Sequence, residues 1–182
     1  MKTHMIDELK VITPDKFVDH RGIYIETFND KQFQEISDIK FIQDDFSKST
    51  KGVFRGLHGD MRTWKLVSCS HGKIKLLILN CNLKSPYFGK SYKFELSPED
   101  YFQVLIPPMY ANGHEILTGE GIFNYKQSTY YGDNKQFSIN ISSPVLGKLS
   151  NDQSKLILSE RDLGSEKVEN IEELKKYIEG QL

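Results

Sequence analysis

The sequence predicts an all-β protein built as a sandwich or barrel, and three observations lead to this prediction. Between residues 52 and 147, short apolar or alternating runs are broken by Gly, Pro, Asn and Asp at intervals of roughly 8–12 residues. Aromatic residues, mostly Tyr and Phe, make up 12% of the chain, which is too many for a disordered protein. Only two segments are predicted to be helical, so strands heavily outnumber helices. A length of 182 residues fits one domain, 1–182.

The predicted strands are short segments with period-two alternation or a continuous apolar run, bounded by turn residues. They are 10–13, 22–28, 40–45, 53–58, 64–69, 73–79, 91–96, 101–106, 114–117, 121–128 and 137–141.

Two helices interrupt or follow the strands. Asn29 can cap a short N-terminal helix over 30–36, because its side chain can accept from a backbone amide of the first turn. Near the C-terminus, apolar residues recur at helical spacing between charged ones and predict an amphipathic helix over 165–180. The polar segment 148–155 would link it to the β core, so that 148–182 forms a C-terminal linker and helix.

Composition excludes several classes of function. A net charge of -1 and a pI near 6.5 provide no basic surplus for binding nucleic acid. No run approaches the roughly 20 apolar residues that span a membrane. With two cysteines only, Cys69 and Cys81, and no signal-peptide pattern at the start, we expect a cytoplasmic protein with buried thiols.

Segment 53–60 concentrates polar groups around two glycines. Strand alternation would put His58 on one face and Arg55 on the other. The glycines would allow a ligand to approach closely. Seven residues further on, Lys65 interrupts an apolar strand, and taken alone it is interpreted as the solvent-facing member of an alternating pattern.

Further functional groups are individually unspecific. Tyr125 alone is most simply a core or interface tyrosine, and Asp162 alone belongs to a solvated turn. Trp64 could stack on a base or pack in the core. It is the order of these groups along the chain that is specific: Gln43-Asp44-Asp45, Arg55-Gly56-Leu57-His58, Lys65-Leu66-Val67, Ile106-Pro107-Pro108, Tyr125-Lys126, Tyr130-Tyr131 and Leu158-Ser159-Glu160-Arg161-Asp162.

This order resembles the dTDP-4-dehydrorhamnose 3,5-epimerase family, over residues 19–162. The resemblance implies a cupin-like β jelly roll, with a short N-terminal helix and a C-terminal helix, that forms a homodimer and uses no metal or organic cofactor. It implies an isomerase that epimerises C3, C5 or both of a nucleotide-diphosphate-linked 4-keto-6-deoxy sugar by enolisation. Such products serve rhamnose or surface-polysaccharide synthesis.

The resemblance also implies roles for individual residues. His58 matches the general base, Asp162 the carboxylate that pairs with it, Lys65 the cation that stabilises the enolate, and Tyr125 the acid that returns a proton on the opposite face. The family positions that bind the sugar nucleotide are matched by Arg21, Glu26, Gln43, Arg55 and Tyr131, and we expect Asp45, Asn112 and His114 to bind substrate as well. Arg55 is the natural partner for a diphosphate, because a guanidinium fits phosphate oxygens.

Some residues depart from the usual family pattern. Gly59-Asp60 follows the histidine, the spacing from His58 to Lys65 is short, and Asn112 stands where a second histidine is usual, followed by His114. These features are similar to a branch that acts on GDP-linked 4-keto-heptoses. The sequence therefore leaves both dTDP-hexose and GDP-heptose substrates open.

Three other functions fit the same residues. His58, Asp60 and His114 have the two-histidine, one-carboxylate spacing of jelly-roll iron(II) oxygenases. A sugar-binding jelly roll without catalysis would use the same polar residues only for recognition. A ketoisomerase on the same fold would share the enolate chemistry.

Overall fold

Thirteen β-strands and three short α-helices form in the computed structural model, which describes residues 1–182. The strands are β1 Lys2–Ile6, β2 Leu9–Thr13, β3 Lys16–Asp19, β4 Gly22–Ile25, β5 Gln43–Thr50, β6 Phe54–Asp60, β7 Lys65–His71, β8 Ile74–Asn80, β9 Ser91–Leu96, β10 Gln103–Ile106, β11 Tyr110–Ile116, β12 Glu120–Gln127 and β13 Gln136–Ser138. The α-helices are α1 Asp30–Gln34, α2 Glu160–Leu163 and α3 Ile171–Glu179, with 3-10 turns at Pro144–Leu149 and Gln153–Lys155.

Two antiparallel sheets form the body of the protein. One has six strands in the order β1-β2-β10-β7-β12-β5, and the other has five in the order β13-β6-β11-β8-β9. Strands β3 and β4 pair only with each other, as a separate two-stranded hairpin. The all-β prediction is confirmed, and the non-sequential strand order is that of a sandwich whose strands cross between sheets.

The main apolar core lies between the two sheets. The six-stranded sheet contributes Val67 and Val104, for example, and the five-stranded sheet contributes Leu76 and Ile78. Strand β8 is buried on both faces, because Leu77 and Leu79 point away from this core into a second cluster. This outer apolar cluster also contains Leu174 and Ile178 of helix α3. This double burial explains why residues 76–79 are continuously apolar instead of alternating.

Helices cover the outer faces of both sheets. Helix α1 is capped by Asn29, whose Oδ1 accepts from the Gln32 amide at 3.3 Å, and it packs Phe33 on the six-stranded sheet. Helix α3 packs Leu174 and Ile178 on the five-stranded sheet. With nine residues in α3, no helix is long and apolar enough to cross a membrane.

The C-terminal helix is shorter than predicted. It begins at Ile171, after the Asn170 cap, and not at residue 165. Residues 166–168 are instead extended along the sheet edge: the Glu166 amide donates to Ser138 O, and Val168 O accepts from the Val145 amide. Tertiary hydrogen bonds therefore override the helical pattern of this stretch.

Strand β11 also differs from the prediction, since it starts at Tyr110 and not at residue 114. The Asn112-Gly113 pair has the composition of a turn, yet it lies in mid-strand between β6 and β8. Strands β1 and β3 were not predicted, because both are exposed and neither alternates apolar with polar residues. Strand β5 runs beyond its predicted end, along a polar edge of the sheet.

A bulge in β6 corrects the expected orientation of Arg55. His58 pairs with Asn112 and Arg55 pairs with His114, so three steps along β6 face two along β11. Phe54 and Leu57 consequently both enter the outer apolar cluster. Arg55 and His58 therefore lie on the same, inner side of the sheet, and the prediction that Arg55 faces away from His58 was wrong.

Two glycines make this bulge possible. Gly56 has a φ of 124°, and a Cβ there would lie 2.4 Å from the Gly113 Cα. A Cβ on Gly113 would lie 2.7 Å from the Arg55 carbonyl oxygen. The backbones of β6 and β11 thus approach more closely than any side chain would allow.

Candidate active site

A cavity of about 310 Å³ opens between the two sheets at the bulged end of β6. The six-stranded sheet supplies one wall, the five-stranded sheet the opposite wall, and the segment at α2 closes one side. Its lining residues are Ser47, Arg55, His58, Lys65, Asn112, Gly113, His114, Phe123, Tyr125, Gln127, Tyr131, Gln136, Ser159, Arg161 and Asp162. All four predicted catalytic residues, which are widely separated in the sequence, come together here.

His58 and Asp162 form a hydrogen-bonded pair. The His58 Nε2 lies 2.7 Å from Asp162 Oδ1, and Asp162 is buried whereas His58 remains partly exposed to the cavity. A carboxylate accepts the Nε2 proton, which leaves Nδ1 of a neutral ring as the proton acceptor. Strand β6 supplies the imidazole, and α2 supplies the group that orients it.

The surroundings of Asp162 keep it ionised. Burial alone would raise the pKa of this carboxyl, but hydrogen bonding and charge from His58, the Ser159 hydroxyl and the Gly56 amide outweigh burial and hold the pKa below its usual range. Ser159 also caps α2 by accepting from the Asp162 amide at 3.2 Å. Asn140 fixes the same turn, because its Nδ2 donates to Asp162 O.

Tyr125 lies on the opposite wall from the His58–Asp162 pair. It belongs to β12 and packs against the core, with its ring 5.6 Å from that of Phe123. Burial raises the pKa of the Tyr125 phenol, and the charge of Asp45, its neighbour on β5, raises it further. The phenol is therefore protonated at neutral pH and is available as a donor.

Lys65 is buried in the same wall, which overturns its interpretation as a solvent-facing residue. Burial lowers the pKa of its ammonium, the Asp60 charge offsets part of this effect, and the Arg161 charge adds to it. Arg55 and Arg161 are two further cations of the lining, against the single carboxylate of Asp162. The cavity is therefore electropositive and suited to an anionic ligand.

Gln43 and Asp45 lie behind the cavity wall and support it. Asp45 Oδ2 accepts from Gln43 Nε2 at 2.7 Å and from Gln127 Nε2 at 3.0 Å. Gln43 Oε1 in turn accepts from the backbone amide of Tyr131, which lines the rim. In a single chain these two predicted binding residues thus hold lining residues in position and do not line the cavity themselves.

Arg21 and Glu26 lie outside this cavity. Arg21 is exposed at the tip of the β3–β4 hairpin, where it pairs with Asp19. Glu26 lines a separate space of about 250 Å³ beside α1 and accepts from Asn29 Nδ2 at 3.0 Å. The structure of one chain therefore does not bring either residue to the other predicted site residues.

Asn112 and His114 line the wall formed by β11. Asn112 Nδ2 donates to the carbonyl oxygen of His58 at 3.2 Å and so joins β11 to the bulged strand. The His114 ring stacks on Phe123, with centroids 4.0 Å apart and an interplanar angle of 17°. Trp64, for which the sequence left two interpretations, packs against a third apolar cluster, which lies under helix α1 and contains Phe33 and Leu66.

Several residues that line the cavity were not predicted from the sequence. Phe123 and Gln127 could have been found, because they share the face of Tyr125 at a spacing of two residues on β12. Arg161 directly precedes Asp162 and was treated as part of a solvated turn. Gln136 had no local signal, since only the pairing of β13 with β6 brings it to the cavity.

The side chains expected for an iron oxygenase do not converge. Asp60 Oδ1 accepts from the backbone amides of Arg62 and Thr63, at 2.9 and 2.7 Å, and Asp60 does not line the cavity with His58 and His114. No group of three or more His, Cys, Asp or Glu side chains is arranged to hold a metal ion. The donor set that this alternative requires is absent.

Fold and site together define a two-sheet β protein whose cavity holds an oriented imidazole on one wall and a protonated phenol on the other, groups that are suited to proton transfer. The family profile of dTDP-4-dehydrorhamnose 3,5-epimerase matches residues 3–170. The dTDP-4-dehydrorhamnose 3,5-epimerase of Shigella flexneri is 36% identical over 179 residues, which cover 92% of this chain and 94% of the relative.

Solved structures give the same result. The dTDP-6-deoxy-D-glucose-3,5-epimerase of Legionella pneumophila, in complex with dTDP-4-keto-L-rhamnose, superposes with a TM-score of 0.84 at 33% identity, covering 96% of this chain and 94% of that one. The epimerase of Bacillus anthracis with TDP and PPi bound has a TM-score of 0.84 at 27% identity, covering 91% and 98%.

The chain belongs to the dTDP-4-dehydrorhamnose 3,5-epimerase family. This confirms the resemblance stated above, the cupin-like jelly roll and the assignment to the isomerases. The oxygenase and the non-catalytic alternatives are not favoured.

The pairing of Asp162 with His58 predicts the outcome of an Asp162→Asn substitution. The Gly56 amide requires an acceptor, so the Asn carbonyl oxygen should turn toward it and present the NH2 group to His58. The imidazole should then carry its proton on Nδ1 instead of Nε2. Nitrogen-15 NMR of the neutral His58 ring would detect this exchange of tautomers.

Glu160→Gln is the matched control, because Glu160 lies on the same short helix and is exposed. It should leave the His58 tautomer unchanged. An Asp162→Asn protein that folds normally and keeps the proton on Nε2 would show that Asp162 does not determine the tautomer.

Proposed function

We propose that the cavity epimerises a dTDP-linked 4-keto-6-deoxy sugar, with His58 as base and Tyr125 as acid. The observation that carries this proposal is the arrangement of the two groups on opposite sheets. A sugar ring bound between the sheets loses a proton from one face and receives one on the other. Such a transfer inverts a carbon centre without any redox step.

The proton that is removed must be acidic, and the neighbouring ketone at C4 makes it so. A carbon next to a ketone loses its proton as the carbonyl becomes an enolate, and a nearby cation stabilises the oxyanion. Lys65 meets this requirement, because its ammonium is buried in the wall and makes no hydrogen bond or ion pair within the chain. Asp162 stabilises the imidazolium that forms when His58 accepts the proton.

The cations at the rim support a diphosphate ligand. Arg55 is exposed toward the cavity mouth and is held at one edge by Ser49, whose Oγ accepts from its Nε at 3.2 Å. Arg161 is held by Gln136 Oε1 at 2.8 Å. Both guanidinium groups retain free N–H donors, and the guanidinium geometry matches phosphate oxygens.

The choice of dTDP rests on the family, two solved members of which are bound to dTDP-4-keto-L-rhamnose and to TDP. A GDP-linked 4-keto-6-deoxyheptose is the second candidate. It is favoured by the polar pair Asn112 and His114 in the wall and by the short segment between His58 and Lys65. We include in the same proposal that C3, C5 or both are inverted and that the protein is cytoplasmic.

A homodimer is also part of the proposal. The β3–β4 hairpin exposes apolar side chains on both faces, with Phe17 opposite Tyr24 and Val18 opposite Ile23. Such a contiguous apolar ribbon is unusual on a monomer. A second copy of the chain that covers the hairpin would also explain why Arg21 lies far from its own cavity: it would serve the cavity of the partner, as would Glu26.

Incubation in heavy water tests the proton transfer. Wild-type protein with dTDP-4-keto-6-deoxyglucose should incorporate deuterium at C3, C5 or both, observed by NMR. His58→Asn should reduce the rate by at least about a hundredfold, because general base catalysis contributes that much.

The control is His71→Asn, which alters an exposed histidine at the β7–β8 turn and should leave exchange unchanged. A parallel incubation with the GDP-linked 4-keto-6-deoxyheptose decides between the two substrates. Exchange at full rate in His58→Asn would contradict the assignment of the base, and exchange with neither substrate would contradict the proposed reaction.

Light scattering tests the dimer. The wild-type protein should have twice the chain mass of 21.0 kDa, and the double variant Phe17→Ser, Ile23→Ser should shift toward the monomer. Leu182→Ser, which removes an exposed apolar side chain at the C-terminus, is the control and should remain dimeric. A wild-type protein that is monomeric at micromolar concentration would refute the dimer.

A further inference from the structure

His114 is a buried polar side chain for which the fold provides no partner. It is only 5% exposed, it lines the cavity, and neither ring nitrogen makes a hydrogen bond within the chain. Its neighbours differ in this respect, since Asn112 donates to His58 O, and Gln127 donates to Asp45. Because nearly all buried polar groups in proteins are paired, an imidazole that the protein leaves unpaired at a cavity is free to bind a ligand there.

The environment of the ring explains why it cannot act as a second base. Burial, together with the charges of Arg55 and His58, lowers the pKa of His114 to about 3, although the charge of Asp162 opposes this shift. No carboxylate contacts the ring, whereas His58 has Asp162. His114 is therefore a neutral imidazole at physiological pH.

A neutral imidazole has one N–H donor and one acceptor nitrogen. This combination matches a hydroxyl group, which also donates and accepts, and it does not match a phosphate, which only accepts. A second unpaired buried atom lies at the same end of the cavity: Ser47 Oγ, on the residue that pairs with Phe123 across the sheet. Phe123 is the ring on which His114 stacks, and aromatic faces suit the apolar side of a sugar ring.

We propose that His114 binds a hydroxyl group of the sugar, and that the end of the cavity around Phe123 is the part that recognises the sugar instead of the nucleotide. This inference rests on the proposed function, because it assigns a subsite of the same cavity. His114 thus determines how tightly the sugar is held, while His58 and Tyr125 move the protons.

The test compares two ligands that differ only by the sugar. dTDP lacks the sugar, and dTDP-linked 6-deoxyglucose (dTDP-quinovose) has it but lacks the ketone, so it binds without reacting. Titration calorimetry of both ligands isolates the contribution of the sugar from that of the nucleotide. No step of catalysis enters the measurement.

His114→Phe keeps the stacked ring and removes both nitrogens. It should weaken binding of dTDP-quinovose by about tenfold or more, the cost of losing a buried hydrogen bond, and leave the affinity for dTDP within about twofold. His114→Gln restores a donor and an acceptor and should recover part of the loss. His114→Leu, which is smaller, replaces the Phe variant should that protein fail to fold.

Each other outcome overturns the inference. Unchanged affinity for both ligands would show that His114 does not contact the sugar. An equal loss for both ligands would show a structural role. Failure of the wild-type protein to bind dTDP at all would overturn the proposed dTDP substrate and this inference with it, whereas binding of dTDP with no gain from the sugar would overturn this inference alone.

Discussion

The close approach of β6 and β11 at Gly56 and Gly113 is the constraint on which the site depends. Regular alternation would place Arg55 and His58 on opposite faces of the sheet. The bulge adds one residue to β6, so the side chains of Arg55 and His58 both enter the cavity. Phe54 and Leu57 both enter the outer apolar cluster. One backbone irregularity thus satisfies the packing of one face and the chemistry of the other.

The bulge also affects the charge beside His58. The Gly56 amide helps to keep the Asp162 carboxylate ionised, and that carboxylate orients His58. Asp162 reaches this position because α2 is capped by Ser159 and fixed by Asn140. The opposite wall bears the buried Lys65 ammonium, whose desolvation is unfavourable until an anionic oxygen lies beside it. One wall therefore holds a group suited to accept a proton, and the other holds a cation suited to the negative charge that loss of the proton would leave.

Much of the fold could be predicted from the sequence, because strand alternation and turn residues are local signals. Strand β9 was predicted with its observed bounds, and the Asn29 cap was identified. The errors have tertiary causes. Asn112-Gly113 has the composition of a turn and lies in mid-strand, because only glycine permits the contact with β6. Residues 166–168 are extended because they hydrogen-bond to the sheet edge.

The site was predictable mainly through the order of its residues and not through their individual patterns. Lys65 alone looked exposed, and Asp162 alone looked like part of a turn, since neither burial nor the partner His58 is encoded nearby. Arg55 was misplaced because a bulge leaves no periodic trace in the sequence. The positions of Gln43 and Asp45 behind the wall follow from their hydrogen bonds to Gln127 and Tyr131, which no spacing reveals.

A Tyr125→Phe substitution shows whether base and acid act from opposite walls of one cavity. This variant removes the donor and keeps His58, so NMR in heavy water should detect deuterium entering the substrate with retained configuration, while inverted product falls by at least about a hundredfold. Inversion at an undiminished rate would contradict the assignment of Tyr125 as the acid, because the second proton would then come from a group other than the phenol on the opposite sheet.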